Sequence, residues 1–113
     1  MNDALQYPQI EAMKSVLTKL GIDPSSRYDN KDQDFEYSTC KPAELERYIE
    51  LYVREDTSAF EKRVLGCYFL ACLNHYIQEN DGEHPAQQIA FNLLNKDIQI
   101  HQTELEYWAS KFK

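Results

Sequence analysis

Residues 64–73, Val64-Leu-Gly-Cys-Tyr-Phe-Leu-Ala-Cys-Leu73, carry no charge, and their most polar side-chain group is the Tyr68 hydroxyl. A surface helix shows polar residues every third or fourth position, so a stretch that is apolar all round reads as buried all round. Over so short a run, periodicity alone does not separate a buried helix from a buried strand. The flanks decide for helix. Ser58 and Glu61 have capping-box spacing, in which each side chain satisfies the other residue's backbone N–H. Leu73, Tyr76 and Ile77 continue the helical spacing, and Asn80-Asp-Gly stops it. The predicted central helix, about 58–79, is roughly 33 Å long.

Working outward, Ile10, Met13, Leu17 and Leu20 predict a first helix over 5–20. Pro8 suits its first turn, Lys14 and Lys19 its late turns, and Gly21 its C′ position. A second helix is expected over 42–55. Pro42 stands at N1, and Leu45, Ile49 and Tyr52 or Val53 form the buried stripe with Tyr48 beside it. Glu44, Glu46 and Glu50 leave an acidic outer face, and Glu50 and Arg54 have favourable i,i+4 spacing. Pro85 opens a fourth helix to about Lys96, with Ile89, Ala90, Leu93 and Leu94 inward and Phe91 partly so. Asn95-Lys-Asp is a break, and Ile98 and Ile100 form a connector or an extra turn. The last helix covers about 103–111, with Leu105, Trp108 and Phe112 as its apolar edge.

Between the first two helices lies one long irregular stretch, 22–41. It carries Asp29, Asp32, Asp34 and Glu36 against Lys31 alone. Gln33, Phe35 and Tyr37 alternate with these acids, so a short strand is conceivable there. The sum is a single all-α domain, 1–113: a compact bundle of about five helices around a central buried helix, with one long acidic loop.

A chain of 113 residues bounds one domain, and 42% hydrophobic and 12% aromatic residues suffice for a core. The net charge of −7 repels nucleic acid and anionic membrane and favours basic partners. The start lacks a signal-peptide pattern, and no segment approaches the roughly 20 apolar residues that span a bilayer. Cys40, Cys67 and Cys72 make an odd count. Cys67 and Cys72 are about 140° apart around a helix and cannot pair within it. Buried thiols fit a cytoplasmic protein.

Catalytic signatures are missing. There is no G-x-S-x-G, and three glycines build no phosphate-cradling loop. No enzymatic activity and no cofactor are expected. Cys72, His75 and Glu79 share a helix face, with His84 close in sequence, and these residue types are zinc ligands. The spacing is generic, however, and no C-x-x-C accompanies it, so a metal-binding helical protein is only the alternative reading. Lys62-Arg63, the only adjacent basic pair, is expected on the exposed early turns of the central helix. Nucleic-acid binding is disfavoured, because no helix is basic.

Partner binding is left. Asp29, Asp32, Asp34 and Glu36, the outer face of the second helix, and Glu79, Asp81 and Glu83 can form one negative surface. Phe35 and Tyr37 are its candidate anchors, with Tyr28 and Tyr48 interleaved. Most of the eight tyrosines are expected at the core boundary with wet hydroxyls. An adaptor would instead show an exposed apolar patch, for instance around Trp108 and Phe112.

The ordered set Tyr48-Ile-Glu-Leu-Tyr, Phe60-Glu-Lys-Arg-Val-Leu-Gly-Cys-Tyr-Phe-Leu-Ala-Cys-Leu-Asn, His84-Pro and Ile100-His-Gln-Thr-Glu-Leu-Glu-Tyr-Trp spans roughly 44–110. In it the chain resembles the small acidic immunity proteins of bacterial contact-dependent growth inhibition and related polymorphic toxin systems. The resemblance implies a cytoplasmic protein that binds a cognate toxin domain, often a nuclease, and covers its active site or substrate groove. It carries over no catalytic residue. A nuclease needs a basic groove for phosphates, and dense carboxylates can occupy such a groove with fast, steered association.

Overall fold

In the computed structural model, residues 8–28, 39–80, 82 and 84–108 are described. Five α-helices run through them: α1 (Ile10–Lys19), α2 (Leu45–Tyr52), α3 (Ala59–Asn80), α4 (Gln87–Lys96) and α5 (Ile98–Trp108). The fold is the expected all-α bundle, with no strand among the described residues. α3 is the predicted central helix, one residue later at each end. Its 22 residues measure about 33 Å at the usual helical rise, the full 33 Å long extent of the molecule.

The start of α3 follows its sequence signal. The Glu61 N–H donates to Ser58 Oγ at 3.1 Å, and the Ser58 N–H donates to Glu61 Oε1 at 2.9 Å. The same carboxylate accepts from Lys19 Nζ at 3.0 Å and Ser15 Oγ at 2.8 Å, so α1 docks onto the cap of α3. Beyond the cap, Val64 to Leu70, Cys72 and Leu73 are buried, whichever side of the helix they occupy. α1, α2 and α5 surround this stretch, and α4 makes a smaller contact with it.

α1 begins at Ile10, with Gln9 as its N-cap, so Pro8 precedes the helix instead of forming its first turn. Its buried stripe is Ala12, Met13, Val16 and Leu17, while Ile10 is exposed. Gly21, at φ +78°, ends it. The Ile22 N–H reaches Leu17 O and the Gly21 N–H reaches Thr18 O, a Schellman pair that needs the left-handed residue between them. Asp23-Pro-Ser-Ser then forms a 3-10 turn, with Asp23 Oδ1 accepting from the Ser25 N–H.

Pro42–Glu44 is a 3-10 turn leading into α2. α2 stops at Tyr52, three residues short of the expected end, where the Thr57 hydroxyl takes the Leu51 carbonyl. The stripe is therefore Leu45, Tyr48, Leu51 and Tyr52. Val53 lies past the end and is exposed, and Ile49 is half-buried. Arg54 pairs with Asp56, so the Glu50–Arg54 pair does not form there. α4 buries Ala90 and Leu94 but turns Ile89 outward. Asp97 alone separates it from α5, which takes in Ile98 to Ile100 as full turns and is described to Trp108. Among the described residues no helix is long and apolar enough to cross a membrane.

Candidate functional site

Among the described residues, three groups of polar side chains stand out besides the Glu61 cap, and the last of these three faces solvent. The first is the seam between α3 and α5. Arg63 is 1% exposed, contrary to the expected surface position, because α5 lies over this side of α3. Its Nη2 meets Glu104 Oε1 at 3.1 Å, and its Nη1 reaches Cys67 Sγ at 3.1 Å. One turn along, Tyr52 Oη donates to Asp97 Oδ2 at 2.7 Å and lies 2.7 Å from His101 Nε2. A phenol has one proton to give. With that proton on Asp97, His101 must donate from Nε2, which leaves Nδ1 as a bare acceptor. Nδ1 has no hydrogen-bond partner and faces Gly66, where a Cβ would stand 2.4 Å from it. Burial pushes the His101 pKa down to about 4, with Arg63 adding to the effect and Asp97 opposing it, so the ring is neutral at pH 7. Histidine, tyrosine and carboxylate in a row have the form of a proton relay. The ring is fully buried against a helix backbone, though, so no substrate reaches it. The relay fastens α5 to α2 and α3.

The second place is the strap Thr39 to Lys41. Thr39 Oγ1 bonds Tyr68 Oη at 2.6 Å, and the Lys41 N–H donates to Tyr48 Oη at 2.8 Å. Tyr48 Oη in turn donates to Glu44 Oε1 at 3.2 Å, and Arg27 Nη1 pairs with the same oxygen at 2.7 Å. Burial raises the Glu44 pKa, but the bonded Arg27 guanidinium overcomes this and holds the carboxyl below its ordinary value. Tyr48 is therefore fully buried and cannot serve as a surface anchor. The hydroxyls of Tyr48, Tyr52 and Tyr68 are bonded inside the protein, not wet, and burial raises all three phenol pKa values.

The third place is the open face of α2 and α4. Glu46, Ile49, Glu50, Pro85, Ala86 and Ile89 line a groove of about 340 Å³. Ile89 is 55% exposed, and Val53, one turn on from Ile49, is 61% exposed. Glu46 also lines a second groove of about 260 Å³, with His75, Glu79 and His84 on its walls. Glu79 is exposed there. The other candidate residues, Asp29, Asp32, Asp34, Phe35, Glu36, Tyr37, Asp81 and Glu83, lie outside the described residues. Ile89 was missed because Ala90, Leu93 and Leu94 already fill the inner stripe of α4. Ile89, one position before Ala90, is turned to the outside.

Two alternative arrangements are not assembled. Cys72 is buried with its thiol on Lys41 O at 3.7 Å, whereas His75 is exposed, so the two do not converge. Among the described residues no three of His, Cys, Asp and Glu come together to hold a metal ion. Trp108 is buried at 8% exposure, contrary to an adaptor patch around it, and Phe112 lies outside the described residues. The chain matches no protein family, no curated protein and no solved structure.

Proposed function

We propose that this protein acts by binding, as an immunity protein that neutralises a basic toxin domain, a nuclease being the best fit, by covering its active site or substrate groove. The observation that carries the reading is the α2/α4 face. Exposed Ile89 and half-buried Ile49 line one groove with Glu46 and Glu50, and Glu79 lines a second groove that shares Glu46. An apolar centre with a charged rim is the usual anatomy of a protein–protein interface. The sign of the rim and the net charge of −7 select a basic partner. In this reading Asp29, Asp32, Asp34, Glu36, Asp81 and Glu83 extend the negative surface, and Phe35 and Tyr37 add anchors. The protein needs no catalysis, no metal and no cofactor, and works in the cytoplasm beside the toxin's target.

The test is capture of partners from the native host, elution in rising salt, and expression of the released protein alone. A single basic partner that is toxic alone and rescued by this chain supports the proposal. With that partner, Ile89→Asp should raise Kd by about tenfold or more, and Glu46→Lys with Glu50→Lys should slow association about tenfold at low salt. Charge reversal of Asp29, Asp32, Asp34 and Glu36 measures the share of the loop separately. Salt-insensitive capture of housekeeping proteins alone would sink the reading.

A further inference from the structure

The strap residues on either side of Cys40 are tied down to different helices. Thr39 is bonded to Tyr68 on α3, and Lys41 is bonded through its N–H to Tyr48 on α2 and through its carbonyl to Cys72 on α3. Cys40 directly precedes Lys41, whose carbonyl lies 3.7 Å from Cys72 Sγ, so the strap, held from both sides, carries Cys40 past the Cys72 thiol. Both sulfurs are present as thiols. The two differ in access: Cys40 is half-buried and Cys72 is buried.

We propose that Cys40 and Cys72 form an oxidisable pair, in which a hydroperoxide converts Cys40 to a sulfenic acid that Cys72 resolves as a disulfide. The surroundings polarise the pair in that direction. The neighbouring Cys72 holds the Cys40 thiol below its ordinary pKa against the opposing effect of burial, and the Arg27 guanidinium adds to the lowering. The neighbouring Cys40, with burial, raises Cys72, whose thiol donates to the Lys41 carbonyl. Arg27 is within reach of the strap, with Nη1 3.4 Å from Thr39 O. Glu44, on the other side of Arg27, opposes the thiolate, and Tyr48 and Tyr68 close the site as neutral phenols.

The chemistry balances with hydroperoxide as the only co-reactant. The Cys40 thiolate attacks the peroxide, the O–O bond breaks, and an S–O bond forms with release of hydroxide or alkoxide. The Cys72 sulfur then attacks the Cys40 sulfur, its proton leaves with the hydroxyl as water, and the S–S bond forms. Two thiols lose two electrons, and the peroxide gains them. The product staples the strap, and with it the C-terminal end of the acidic stretch, to α3. Cys67 takes no part, because it points into the α3/α5 seam toward Arg63. The inference does not rest on the identity of a binding partner.

The test uses the full chain and hydrogen peroxide, with remaining thiols alkylated before mass spectrometry. The expected product has lost two hydrogens, carries one alkylated cysteine, and yields a linked pair of peptides containing Cys40 and Cys72. In Cys72→Ser, a sulfenic-specific dione should label Cys40. In Cys40→Ser, Cys72 should label at least about tenfold less. Circular dichroism confirms that each variant is folded, and the wild-type link is decisive without them. Three alkylated cysteines after a dose that oxidises a model thiol would overturn the proposal, as would a bridge to Cys67 or a bridge between chains.

Discussion

The central helix shows two unlike sides to its neighbours. Toward α1 and α2, α3 sits among Met13, Val16, Leu17, Leu45 and Leu51, a mostly hydrocarbon surface. Toward α5 it presents Arg63, Cys67 and the bare backbone at Gly66, and receives Glu104 and His101. Burial on the first side stabilises in proportion to area and has no direction, about 1.5–3 kcal/mol for each large apolar side chain. Contacts on the second side are few, but each admits one geometry. The first side holds the bundle together, and the second fixes where α5 lies along α3.

The largest expected effect comes from breaking the buried ion pair. Glu104→Leu removes the carboxylate that Arg63 faces and should cost about 3–5 kcal/mol in urea unfolding. Adding Arg63→Met should recover much of that loss, because a buried apolar pair is often no worse than a buried salt bridge. Equal stabilities for the single and double variants would mean that the charge pairing does not hold the seam.

Next comes Gly66→Ala. In a helix interior this change ordinarily stabilises by roughly 0.5–1 kcal/mol. Here the added Cβ would stand 2.4 Å from His101 Nδ1 and 2.6 Å from Cε1, on a ring already held by Tyr52. The sign should reverse, to a loss of about 2–3 kcal/mol. His101→Ala in the same chain should relieve part of it. A stabilised Gly66→Ala protein would show that the α3/α5 contact is looser than drawn.

The smallest effect sharpens the comparison through pH. The folded His101 pKa of about 4 is below the ordinary value of 6.5, so the unfolded chain binds the extra proton first. Stability is therefore whole above the unfolded value and falls as pH drops from about 6.5 toward 4. Between pH 7 and pH 5 the loss should be about 2 kcal/mol. Glu44 and Glu61 have lowered pKa values, so their contributions are lost only at lower pH. Melting curves of wild type and His101→Gln across this window separate the two, and identical pH dependence would remove the histidine from the account.

The hydrocarbon side was legible in the sequence. The apolar run 64–73, the Ser58/Glu61 cap, Gly21, and the stripes around Met13 and Leu45 each obey a periodicity or a local rule. The polar side was not. Arg63 follows Lys62 in a helical first turn and looks solvated, and only its partner forty-one positions later makes it an interior residue. His101 and Glu104 are spaced as one face of a helix, but a polar face normally means surface. The tyrosine hydroxyls, expected to be wet, were misread for the same reason: those of Tyr48, Tyr52 and Tyr68 have partners in other segments, which local sequence does not announce. The candidate site was half legible. Glu46, Glu50 and Glu79 read as surface acids, while the exposed Ile89 in the groove with Glu46 and Glu50 became visible only once Ala90 and Leu94 were seen to fill the inside.

Glu61 has a consequence for how the head of the central helix opens to solvent. Its carboxylate and N–H connect to Ser58 in its own helix and to Ser15 and Lys19 in α1, a segment more than forty residues upstream. The cap itself is local, and what α1 adds is a second hold on the carboxylate that serves it. Docking of α1 fixes the carboxylate that the cap uses, so amides at the head of the central helix should exchange with solvent more slowly with α1 in place than without it.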